Sequence, residues 1–86
     1  METKSLQFGN KTLEWSLDPK TFDGDNLKVI EDGEVVWSLN EALGRDECAV
    51  SCEKIDEHTF GFIVFVGMRY EVDIDKLEII RKQITK

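Results

Sequence analysis

Cys48, Cys52 and His58 are the residues of this chain whose types come nearest to chemistry. The two thiols are spaced Cys-x₃-Cys and His58 is the single histidine. Zinc takes such donors as two close pairs, and here the second pair is missing. The spacing also matters. On a helix, residues four apart share a face and can chelate one ion. On a strand they stand ~13 Å apart at ~3.3 Å per residue, too far to share an ion or to meet the ~7 Å Cα limit of a disulfide. Residues 49–55, AVSCEKI, read as a strand. A thiol nucleophile with His58 as its base is the other use of the same set. It needs solvent access and an orienting third group, and no neighbouring motif supplies one. Free cysteines more commonly serve as small buried apolar residues. A metal- or thiol-dependent protein built on Cys48, Cys52 and His58 is therefore the alternative reading of this sequence.

Carboxylates come in close pairs: Asp23 with Asp25, Asp56 with Glu57, Asp73 with Asp75. General acid–base work needs two such groups converging across a cleft. These lie in turn-like segments or on the polar side of alternating stretches, where charge keeps a surface solvated. A calcium loop starting at Asp23 would need an oxygen ligand where Leu27 stands and a glycine where Lys28 stands. The glycines are scattered singly, and no phosphate-cradling motif appears. The expectation is a protein that is not an enzyme and carries no cofactor.

Charge says more. The formal net charge is −7, unevenly spread. Residues 13–75 hold five basic residues against sixteen acids, which gives −11, whereas residues 76–86 hold four against one, which gives +3. Nucleic-acid binding draws on counterion release by clustered basic groups, so most of this surface would be repelled, and an anionic membrane is disfavoured likewise. A basic protein partner would be attracted and steered. The function expected is thus a small acidic binding module without catalysis, in its sharpest form an inhibitor or immunity-type protein. It would cover a basic surface with acids such as Asp23, Asp25, Glu31, Asp32 and Glu34. The opening METKSLQFGN lacks the apolar stretch of a secretion signal, and the longest apolar run, residues 62–66, is far short of the ~20 needed to span a bilayer. Two cysteines without a signal read as reduced thiols, so the cytoplasm is expected.

The elements that position these groups follow from periodicity. Leu13, Trp15 and Leu17 alternate with polar residues, as a half-buried strand requires, and Gly9-Asn10 turns the chain before it. Residues 18–26 form a loop rich in turn residues. Asp32-Gly33 joins a second hairpin of residues 27–31 and 34–39, with Val35, Trp37 and Leu39 on one face. Ser38 and Glu41 fit a capping box opening a short helix that Gly44 stops. Residues 60–66, apolar on both faces, predict a central strand covered on both sides, which leaves room for a partner subunit and a homodimer. Residues 76–86 fit either a helix or a final strand. The sum is one α+β domain over residues 1–86, mainly an antiparallel sheet of successive hairpins with one or two short helices packed on it.

Trp-Ser-Leu occurs twice, in LEWSLD and VVWSLN, 22 residues apart. A repeat architecture would show a third copy near residue 59, where HTFGFI stands instead. Both tryptophans share their faces with leucine or valine, so the likeness points to two strands of one core rather than to exposed stacking platforms.

Overall fold

Alternating apolar residues make strands, and turn residues set their ends. The structure, a computed structural model, describes residues 1–84. Strands β1 (Glu2–Phe8), β2 (Lys11–Leu17), β3 (Leu27–Glu31) and β4 (Glu34–Ser38) form one four-stranded antiparallel sheet in chain order. Helix α1 (Leu39–Leu43) leads to β5 (Ala49–Asp56), β6 (Thr59–Val64), β7 (Met68–Asp73) and β8 (Glu78–Ile84), which form the second. The successive-hairpin architecture is observed. The helical part is smaller than an α+β reading implies, a single helix of five residues.

The two sheets bury their inner faces against each other. Trp37 meets Phe60 edge-on at 5.3 Å and Phe62 at 5.9 Å, while Phe62 stacks on Tyr70 at 5.2 Å. Both tryptophans are buried, at 6% exposure, so the Trp-Ser-Leu pair belongs to the core of the first sheet. The β1 edge lies along β5, where Lys4 Nζ donates to the Cys52 carbonyl at 2.9 Å and Lys54 Nζ to the Gln7 carbonyl at 2.9 Å. Long lysine stems thus close this seam while their amines satisfy backbone acceptors. The opposite seam, between β4 and β8, holds a groove of about 410 Å³ that Trp37, Glu41 and Ile79 help to line.

Four expectations are corrected. Residues 78–84 are a strand, so the helical option for the last stretch fails, and residues 85–86 lie outside the described residues. Val35 leaves the face of Trp37. Val29 pairs with Trp37 but Ile30 pairs with Val35, so Val36 is an extra residue that flips the strand, and Val35 is 56% exposed. Residues 60–66 are the expected central strand only in part: β6 lies between β5 and β7 with every residue buried or half-buried, but Phe65 and Val66 fall beyond it and are exposed. β6 stops at Val64, its inner face is buried, and over its outer face the Arg69 guanidinium crosses Gly61 to reach Glu53 at 2.7 Å. Finally, Ser38 is the N-cap residue by backbone geometry, but its side chain makes no cap bond. Asp25 takes that place, accepting from the Asn40 N–H at 3.0 Å.

Candidate functional site

Three loops meet at one end of the two sheets: residues 18–26 after β2, residues 44–48 after α1, and residues 65–67 after β6. Asparagines weld them. Asn26 Nδ2 donates to the Ser16 and Ala49 carbonyls, each at 2.7 Å, and its Oδ1 accepts from the Ala49 N–H at 2.8 Å. The side chain thereby imitates a strand residue and ties the two sheets together where β3 and β5 begin. Trp15 Nε1 donates to the same Ala49 carbonyl at 2.9 Å. Asn40 does likewise for the next loop: its Nδ2 donates to Asp46 Oδ1 and its Oδ1 accepts from the Glu47 N–H, both at 3.0 Å. The Asp25 N–H donates to the Glu47 carbonyl at 2.9 Å, and the Phe65 N–H to the Cys48 carbonyl at 2.9 Å. A Cβ at Gly24 would push the Asp46 carboxylate aside, away from Asn40, and lie 3.0 Å from the Glu47 carbonyl, so glycine lets these loops close together.

This scaffold displays two phenylalanines rather than hiding them. Phe22 and Phe65 meet edge to face with ring centroids 5.1 Å apart, yet they are 40% and 62% exposed. Beside them Val66 is 74% exposed. Phe22 adopts φ +50, a left-handed conformation that costs a residue with a Cβ about 1–2 kcal/mol. Its N–H donates to the Asp18 carbonyl at 2.9 Å, which fixes the turn. A bulky residue held in that region marks a conformation imposed by its surroundings. The rings, with Gly24, Asp46, Glu47 and Cys48, line a cavity of about 240 Å³. That is smaller than the ~300–1,000 Å³ of pockets that enclose whole small-molecule ligands.

Acids ring the pair. Asp23 is exposed and makes no hydrogen bond or ion pair among the described residues. Asp46 is exposed beside it, and Glu47 pairs with Arg45 at 2.7 Å. The field is felt at Cys48, whose thiol pKa is raised first by burial and then by Asp23, Glu47 and Asp46. Arg45 is the guanidinium at this end. Its pKa is raised, first through its bond to Glu47 and then through that to Tyr70.

The acids singled out by sequence do not form one patch. Asp23 and Asp25 belong here, Asp25 as the helix cap. Glu31 ends β3, with Asp32 in the turn and Glu34 opening β4, about 13 Å or more away along the strand. Asp32 and Gly33 make the hairpin turn at φ +53 and +79. Glu31 is engaged by Asn10 Nδ2 at 2.8 Å and Lys11 Nζ at 3.5 Å, which offsets the like charge of Glu34 directly opposite. Sequence reasoning missed Phe22, Phe65 and Val66. An aromatic within DPKTFDGDN, a segment otherwise made of turn residues, was the available signal for Phe22; nothing in FIVFV separates Phe65 from its buried neighbours.

Cys48, Cys52 and His58 are spread along β5: Cys48 just before it, Cys52 within it, His58 in the turn beyond. His58 Nδ1 instead meets Asp75 Oδ2 at 2.7 Å, joining two exposed turns. Among the described residues, no three or more His, Cys, Asp or Glu side chains are grouped to hold a metal ion. Both thiols are buried, and burial raises the Cys52 pKa to about 11, the opposite of an activated nucleophile.

No protein-family model, curated protein or solved structure matches this chain.

Proposed function

We propose that this protein is a non-enzymatic binding module that docks its Phe22–Phe65 end onto a basic surface of another protein, as an inhibitor or immunity-type protein does. One observation carries the reading: two exposed, mutually packed aromatic rings, Phe22 on a strained backbone, stand beside the carboxylates of Asp23, Asp46 and Glu47. Interfaces draw most of their energy from a few aromatic or arginine anchors at the centre, while surrounding polar groups exclude water and set orientation. The uneven charge, −11 over residues 13–75, supplies long-range attraction for a basic partner. The cytoplasm is the setting we assign, since both cysteines are free thiols that a reducing compartment maintains. Among the described residues, no helix is long and apolar enough to cross a membrane.

A thiol- or metal-dependent role draws no support from the scattered positions of Cys48, Cys52 and His58. The test is retention of partners from the source cells on immobilised protein at low salt, eluted by a salt gradient. Wild type should hold a basic protein that elutes with salt, and Phe65→Ser should release it. Retention indifferent to salt, or unchanged by Phe65→Ser, refutes the reading.

A further inference from the structure

The cavity between Phe22 and Phe65 is too small for a cofactor but sized for one side chain, and its chemistry selects which. Its walls are aromatic and its rim is anionic. Asp46 lines the cavity, using Oδ1 for Asn40 and leaving Oδ2 open, while Asp23, between the lining residues Phe22 and Gly24 in the chain, is exposed with no hydrogen bond or ion pair among the described residues. An apolar side chain would fill the cavity and strand the carboxylates. A carboxylate would be repelled. A cation satisfies both parts, since aromatic faces attract cations and the acids complete the charge.

Between the two cationic side chains, the geometry favours arginine. The rings meet at 63° and stay 40% and 62% exposed, so aromatic surface remains accessible in the cavity that Asp46 and Glu47 also line. A planar guanidinium lies flat on such a face and donates in its plane to carboxylates at its edge. It is also more weakly hydrated than an ammonium, so it loses less on entering a half-dry site. We infer that the Phe22–Phe65 cavity is a receptor for one arginine side chain of the partner, with Asp23 and Asp46 as the groups that hold the guanidinium. This inference rests on the docking reading above and names the partner's anchoring residue.

The probe is N-acetyl-arginine methylamide, titrated into the full chain and followed by amide and aromatic NMR shifts. Its citrulline counterpart, neutral but nearly isosteric, and its lysine counterpart are the controls. Saturable shifts confined to the signals of Phe22, Gly24, Cys48 and Phe65 are expected, with citrulline and lysine about tenfold weaker or worse. Asp23→Asn should weaken the arginine titration similarly, and so should Phe65→Leu, which keeps bulk but loses the ring face. Absence of saturable shifts, or equal response to citrulline or lysine, overturns the inference. If the arginine probe fails while Phe65→Ser still releases the salt-eluted partner, the inference falls and the docking reading stands. If Phe65→Ser leaves partner retention unchanged, both fall.

Discussion

Phe22 and Phe65 pack edge to face at 5.1 Å on the outside of the molecule, although Phe22 must adopt φ +50 to do so. A ring that served stability would sit in the core at ordinary φ. The Phe22→Asn variant should therefore remain within about 1 kcal/mol of wild type in denaturant unfolding, because asparagine tolerates the left-handed region and offsets the lost contact. A loss of ~3–5 kcal/mol, typical of truncating a core phenylalanine such as Phe60, would show that Phe22 is structural instead.

Asn26 is the opposite case. Its amide makes three backbone hydrogen bonds where the sheets join, and Asn26→Ala leaves the Ala49 N–H and the Ser16 carbonyl short of partners. Each uncompensated group costs ~1–3 kcal/mol, so a destabilisation of about 2–4 kcal/mol is expected from the unfolding midpoint at unchanged slope.

Two aspartates of one loop should separate stability from binding. Asp25→Ala removes the cap on Asn40 and puts alanine at φ +51, where aspartate is better tolerated, and should cost about 1–2 kcal/mol. Asp23→Ala should leave stability within about 0.5 kcal/mol, as for an exposed surface site, while weakening retention of a basic partner. Thermal unfolding of both variants, run beside the salt-elution assay, reads the two effects separately.

The Cys52 thiol gives a pH signature. Burial raises its pKa from 9.0 to about 11, Lys4 pulls it down by less, and Glu53 adds to the rise. The folded state thus favours the neutral thiol. Its contribution is complete below about pH 9 and is lost as pH rises to about 11, for a total of about 2–3 kcal/mol. The stability difference between wild type and Cys52→Ala should shrink across that window. A constant difference would place Cys52 in contact with solvent.

Much of this fold was legible because alternation with period two is a direct consequence of half-buried strands. Leu13 and Trp15, or Tyr70 and Val72, announce their faces, and Asp32-Gly33 announces its turn. The failures are local and physical. Val35 was misplaced because a single inserted residue, Val36, reverses a face, and nothing in the composition of EVVWS marks a bulge. The final strand was ambiguous because its residues are all exposed, so no buried face imposes a period on them. The helix cap went to Asp25 because a loop from 13 residues upstream of Ser38 arrives there, which only tertiary structure decides. For the same reason the acids of the site were half legible. Asp23 could be named from charge, but that Asp46 shares a cavity with two phenylalanines next to it depends on Asn40 and Asn26 welding three loops.

The central claim, that the Phe22–Phe65 end is the working surface, is tested most directly by site-specific photocrosslinking. A benzoyl-phenylalanine introduced at position 65 keeps the aromatic ring in place; one at position 35 reports on the exposed outer face of β4 at the other end of the sheet. Irradiated at low salt in extract of the source cells, the position-65 protein should form one dominant adduct with a basic protein, suppressed by added salt. An adduct formed from position 35 but not from position 65 would contradict the account.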